Sequence, residues 1–263
     1  MTQIDWKKLT SEALMAELDT TPKPGLVDRS NNGSHRDMDY ALMSKSVSAI
    51  APFFAKMASA SCETLDVATL RAIGLEAEHA MFEATGGVNT HKGAIFCLGL
   101  LVASYSYVLN TKGAPVQFGQ LQQVIEDTAM EFQPQQNTNG VMAALRYRVQ
   151  GALAMAQHGY DIVLNDILPW YRKAKLESPD ENMARVRTLL YIMSRIEDTN
   201  LYHRGGERVA LEVRKQAAAL CVQASLEDLQ AFDAQCISLN VSAGGSADIL
   251  SMTILLDKLN NII

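Results

Sequence analysis

Four short stretches of the 263-residue chain concentrate the residue types that bind anions, hold hard metal ions or move protons. They are TPKPGLVDRSNNGSHRDMD (21–39), TGGVNTHKG (85–93), DTNLYHRGGE (198–207) and LNVSAGGSAD (239–248). In the first, Lys23, Arg29, His35 and Arg36 supply cations and Asp28, Asp37 and Asp39 carboxylates, while Pro22 and Pro24 hold the backbone extended. In the second, Gly86 and Gly87 allow a backbone to come close to a ligand, and Lys92 offers a point charge to phosphate. The spacing is not that of a P-loop. In the third, Asp198 beside Asn200 suits Mg²⁺, an ion that prefers oxygen ligands, and Arg204 presents a bidentate fork. The fourth ends in Ser246 and Asp248.

Each stretch also has a plain structural explanation. The first reads as a solvated, proline-stiffened loop, the second as a helix cap made by Asn89 or Thr90. The third reads as a helix stop and glycine turn with an Arg204–Glu207 pair, the fourth as a cap by Ser246 and Asp248. Upstream of the second stretch, Glu76 and Glu83 share a helix face and Glu78 points elsewhere. What favours a site is placement: all four stretches fall at predicted helix ends, where a helical bundle presents ligand groups and free N–H donors.

The elements that must position these stretches are helical almost throughout. Residues 5–19, 39–58, 64–84 and 117–132 repeat apolar positions at three- and four-residue spacings. SPDEN (178–182) reads as a helix start with Ser178 as N-cap, Pro179 at the first position and Glu181 closing the box. Ser225 with Asp228 repeats the signal. No period-2 segments bounded by hairpin turns occur. The expectation is an all-α single domain of about ten helices over residues 1–263, with QPQQNTNG (133–140) as the one plausible seam.

Composition narrows the function. A net charge of −6 argues against a nucleic-acid surface, which needs a basic patch, but leaves room for a phosphorylated small molecule. Four scattered cysteines form no C-x-x-C pair, and the histidines form no zincin spacing. The N-terminus has no signal-peptide apolar region. The apolar run from Ala94 to Leu109 is short of the roughly 20 residues a bilayer span requires, so a buried core helix and a cytoplasmic protein with no membrane partner are expected.

PKPGLVDR with G-x-H-x-D-M, GVNTHKGAIF, DTN with RGGE, and GGSADIL stand in this order from residue 21 to 250. In these motifs the chain resembles the triphosphoribosyl-dephospho-coenzyme A synthases that serve citrate lyase, with close relatives serving malonate decarboxylase. It departs from the family at Ser242–Ala243, where Ser-Pro is usual. The resemblance implies that the 2′-hydroxyl of 3′-dephospho-coenzyme A attacks C1′ of ATP and adenine departs, giving the precursor of an acyl-carrier prosthetic group. It implies ATP and 3′-dephospho-coenzyme A as substrates, Mg²⁺ with the ATP, and a downstream transferase or acyl-carrier subunit as partner. On that basis Lys23, Arg29, Lys92 and Arg204, with the amides of Gly86 and Gly87, are assigned to phosphates. Asp37, Glu78 and Asp198 are assigned to Mg²⁺ or the general base, and Asn89 and His91 to the ribose or leaving adenine. Asn200 is counted with the catalytic group, and Asp28, His35, Glu207, Ser246 and Asp248 with substrate binding. Competing readings are an ATP-dependent phosphoryl or nucleotidyl transferase and a non-catalytic module that binds the acyl carrier.

Overall fold

The computed structural model describes residues 4–133 and 138–260. Residues 134–137, the centre of the expected seam, lie outside the described residues. Among the described residues the chain forms twelve α-helices and no strand, so the fold is all-α, with two more helices than the periodicity suggests. The surplus sits between residues 139 and 167, where α6 (Asn139–Tyr147), α7 (Ala152–Gln157) and a π-helical turn (Val163–Ile167) are too short to carry a periodic signal.

Two helices form the middle of the molecule. α4 (Lys92–Lys112) buries thirteen of its 21 residues and α12 (Gly244–Asn260) eleven of its 17, and the two pack on each other. Helices apolar all round belong in a core. α4 is long and apolar enough to cross a membrane, more so than its uncharged run suggested, yet 72% of its most apolar window is buried inside the fold. Around α4 lie α2 (Tyr40–Ala60), α3 (Val67–Thr85), α5 (Phe118–Met130) and α7. Around α12 lie α1 (Trp6–Leu18), α8 (Leu168–Glu177), α9 (Glu181–Arg195) and the first part of α10 (Thr199–Leu220). α11 (Leu226–Ser238) closes the chain back toward α12.

Helix ends follow local chemistry. Asp5, Asp39 and Asp66 each accept the backbone N–H of the third residue onward, starting α1, α2 and α3. Ser225 and Asp228 form the expected reciprocal box at α11. At α9 the expectation is corrected: Asp180, in extended conformation, caps Met183, because its carboxylate stands in the N-cap register that Ser178 and Pro179 precede. α10 is interrupted at Gly206 (φ 74°, ψ 175°), the glycine turn anticipated in RGGE.

Candidate functional site

The four polar stretches meet around the turn between α11 and α12. Ser34 Oγ donates to the Val241 carbonyl at 2.7 Å, and His35 Nε2 lies 2.9 Å from Ser242 Oγ. Arg204 donates from Nε to the Asn240 carbonyl (2.9 Å) and from Nη2 to Asn240 Oδ1 (3.0 Å) and the Ser34 carbonyl (2.5 Å). Asp198 receives the backbone N–H and the hydroxyl of Ser246 on one oxygen, at 2.7 and 2.8 Å, and the Asn200 N–H on the other. The second stretch arrives from the opposite side. A methyl on Gly93 would fall 2.0 Å from Asp248 Oδ2, so the start of α4 lies directly on that carboxyl. The first stretch can fold this closely because Gly25 has φ +70° and its missing side chain would strike the Val241 carbonyl at 2.2 Å. Asp233 secures it, accepting from the Gly25 N–H and from Asn31 Nδ2, both at 2.9 Å.

Inside this junction lies a set of ionisable groups. Lys23 Nζ donates to Glu17 Oε1 at 2.5 Å with both side chains out of solvent. His91 is buried; its Nδ1 lies 2.8 Å from Ser46 Oγ, which itself accepts from Thr90 Oγ1 at 2.7 Å. The Ser46 hydroxyl is therefore free to donate to Nδ1, which leaves the imidazole proton on Nε2, an atom with no partner among the described residues. Burial, with the Lys23 charge nearby, lowers the His91 pKa to about 3, so the ring is neutral at physiological pH. Burial raises the pKa of Asp198 and, with Glu17 and Asp198 adding negative charge, lifts Asp248 well above the carboxylate range. Burial likewise raises Glu17, against the opposing effect of Lys23.

Most of the cations assigned to phosphate are otherwise engaged. Lys23 is sealed in its ion pair; Arg29 is exposed, 2.7 Å from Asp19 and over the Tyr40 ring; Lys92 pairs with Glu78 at 2.8 Å; Arg204 braces carbonyls. The Gly86 and Gly87 amides both donate to the Phe82 carbonyl and end α3 in left-handed geometry, so those N–H groups are not free donors. Asp28 is buried and accepts from the amides of Lys23, Ser30 and Asn31, which makes it the staple of its own loop. Asn89 Oδ1 accepts the Lys92 N–H at 3.2 Å, but the N-cap position of α4 is His91 and not Asn89 or Thr90, because the helix begins one residue later than the plainer reading held. Glu207 is exposed and forms no pair with Arg204, because the guanidinium is drawn to Asn240 and Ser34. Ser246 and Asp248 do not cap α12, since both lie beyond its first residue and the cap comes from Asp198. Asn200 packs its amide against Gly244.

Among the described residues no three His, Cys, Asp or Glu side chains are grouped to hold a metal ion, so Asp37, Glu78 and Asp198 form no preformed cage. Asp37 stays exposed, 3.7 Å from His35 Nδ1, at an open groove of ≈ 420 Å³ shared with Asn32, Arg36, Asp39 and Lys45. Among the described residues neither Arg36 nor Lys45 has a carboxylate within ion-pair reach. Lys45, Glu17, Ser46, Tyr160 and Asp233 were not singled out from the sequence. They sit inside ordinary helical or loop text, and only their burial or their neighbours distinguish them.

The fold and this junction define an all-helical protein whose polar loops surround a buried group of carboxylates, one lysine and one neutral histidine. The chain belongs to the CitG family, ATP:dephospho-CoA triphosphoribosyl transferase, whose model matches residues 5–263. A protein of Klebsiella pneumoniae named 2-(5''-triphosphoribosyl)-3'-dephosphocoenzyme-A synthase is 37% identical over 261 residues, covering 92% of this chain and 86% of its own. One of the same name from Escherichia fergusonii is 35% identical over 271 residues, covering 93% and 88%. A Pseudomonas fluorescens protein, named as a probable synthase of this kind, is 37% identical over 267 residues, covering 96% and 90%. No solved structure matches.

Proposed function

We propose that the protein transfers the 5-triphosphoribosyl group of ATP to the 2′-hydroxyl of 3′-dephospho-coenzyme A and releases adenine. The observation that carries the reading is the convergence of all four polar stretches on residues 239–248, which turns four separate loops into one junction. Displacement at an anomeric carbon passes through an oxocarbenium-like state, which buried carboxylates are suited to stabilise. His91, neutral and with Nε2 unpartnered, suits hydrogen bonding to the ribose or adenine and not charge pairing with phosphate. The triphosphate belongs with the free cations Arg36 and Lys45. Mg²⁺ would enter as MgATP, bound mainly through the substrate phosphates, with Asp37, exposed at the groove, the carboxylate that would hold its waters and Glu78 available only on leaving Lys92. Asp198, its oxygens already occupied, positions α10 against α12.

The product is proposed to supply the acyl-carrier prosthetic group of citrate lyase. The same compound serves malonate decarboxylase, so the genes beside this one decide between the two. The reaction itself is tested by incubating the purified protein with ATP, Mg²⁺ and dephospho-coenzyme A and separating the spent nucleotide. Free adenine in step with consumed dephospho-coenzyme A is expected; ADP, AMP or pyrophosphate would mark a phosphoryl or nucleotidyl transferase instead.

A further inference from the structure

We propose that Asp248 is the catalytic proton donor to the departing adenine, its carboxyl presented where the start of α4 meets α12. The inference rests on the triphosphoribosyl-transfer reading and adds which residue handles the leaving group.

Three observations place it there. Asp248 Oδ2 lies so close to Gly93 that any side chain at 93 would displace it, so α4 and α12 are fitted around this carboxyl. No described residue hydrogen-bonds the carboxyl, although the residue keeps partial exposure and is therefore reachable. Two further buried polar atoms lack partners among the described residues: His91 Nε2, two residues before Gly93 in the chain, and the hydroxyl of Tyr160, which feels the Asp248 charge. Both residues are at least 96% buried, His91 being 4% and Tyr160 1% exposed. Buried polar atoms are normally satisfied, so unpartnered ones on the segments that meet Asp248 leave hydrogen bonds for a ligand to complete. Tyr160 is also held at φ +51°, an uncommon conformation for an aromatic residue and a kind of strain that clusters at functional sites.

The groups that face Asp248 add to its burial in favouring the acid form. Glu17 comes from α1, Asp198 from the start of α10, Cys97 from the next turn of α4, and Tyr160 from the segment before the π-helical turn. Lys23, the lysine of this junction, is bound to Glu17, and His91 is neutral. Burial, first, and the two neighbouring carboxylates thus raise the Asp248 pKa well above its ordinary value and favour its acid form.

In the reaction the C1′–N9 bond of ATP breaks and its electron pair goes to adenine. The Asp248 proton goes to a ring nitrogen of that adenine, and the carboxylate left behind stabilises the cationic sugar. The 2′-oxygen of dephospho-coenzyme A bonds to C1′ and loses its proton to water, and water reprotonates Asp248. No net proton is gained or lost.

The test compares Asp248→Asn with the unaltered enzyme on two substrates. With ATP, adenine release by the variant falls at least roughly 100-fold, the scale of a lost general acid. With 7-methyl-ATP, whose base leaves as neutral 7-methyladenine without taking up a proton, the variant stays within roughly tenfold of the unaltered enzyme after spontaneous loss is subtracted. The unaltered enzyme also loses kcat toward high pH with ATP and not with 7-methyl-ATP, a contrast that stands even if the variant does not fold. Equal losses on both substrates, near-normal turnover of ATP by the variant, or identical pH profiles overturn the role of Asp248 while adenine release continues. An unaltered enzyme that yields ADP or pyrophosphate instead of adenine overturns the transfer reaction, and the role with it.

Discussion

Lys23 and Glu17 form an ion pair of 2.5 Å in which the side chains are 2% and 4% exposed. An ammonium so enclosed is part of the frame on which the junction is built. It fixes the first stretch to α1, beside the loop that Asp28 and Asp233 hold. Burial, with the same charge adding to it from a distance, keeps His91 neutral.

Breaking the pair from one side leaves an uncompensated charge indoors. Lys23→Met is expected to lower stability by about 3–5 kcal/mol, and the double variant Lys23→Met/Glu17→Leu to recover most of that loss. Urea unfolding of the two single variants and the double variant measures it. A Lys23→Met protein of unchanged stability with only a raised KM for ATP would return Lys23 to the phosphate-binding group.

Asp198 acts at two helix starts at once, through the Asn200 N–H in α10 and both donors of Ser246 in α12. Asp198→Ala strands three donors, the two of Ser246 buried and that of Asn200 half-buried, and a cost of about 1–3 kcal/mol per buried unsatisfied group follows. Thermal unfolding and adenine release are expected to fall together. If activity vanishes while the melting temperature holds, Asp198 touches the reacting atoms and is not a brace.

The helical nature of the chain was legible because long amphipathic segments such as α2 and α3 declare their period. The site was legible only as a set of places. PKPG, THKG, DTN and GGSAD were found because proline, glycine and paired charges interrupt that period. Which charges are free could not be read. Lys92 and Arg204 look like phosphate ligands in one dimension, yet Glu78 and Asn240 reach them only after folding. Glu17 failed to stand out for the opposite reason: on an amphipathic helix an acid reads as surface, and only the tertiary approach of Lys23 carries it inside. Glu78 was separated correctly from Glu76 and Glu83 by face alone, since those two pair with Lys56 and His79 on the outside.

His91 gives a pH dependence with a definite sign. Its folded pKa of about 3 lies below the ordinary value of 6.5, so below that value the unfolded chain takes up a proton that the folded chain does not. The stability His91 confers is present above pH 6.5 and is lost as pH falls toward 3. The slope approaches about 1.4 kcal/mol per pH unit for one proton. Relative to His91→Gln, the unaltered protein should therefore lose stability between pH 6.5 and 4, as measured by urea midpoints at each pH. Parallel curves would mean that the imidazole is protonated in the folded state.

The last expectation concerns where the triphosphate lies. Lys23, Arg29, Lys92 and Arg204 have partners in the fold, whereas Arg36 and Lys45 face the open groove with none among the described residues. A cation that braces nothing can be removed without cost to folding, so Arg36→Ala and Lys45→Ala should each stay within about 0.5 kcal/mol of the unaltered stability. Each should raise KM for ATP by about tenfold, with kcat changed far less, because a phosphate contact remote from C1′ binds ground state and transition state alike. The penalty should shrink as salt rises, since an exposed charge is screened within about 10 Å at 0.1 M. Steady-state kinetics at two salt concentrations read all three effects. An unchanged KM in the double variant Arg36→Ala/Lys45→Ala would place the triphosphate elsewhere, and the Lys92–Glu78 pair would then be the next place to look, opened by the ligand.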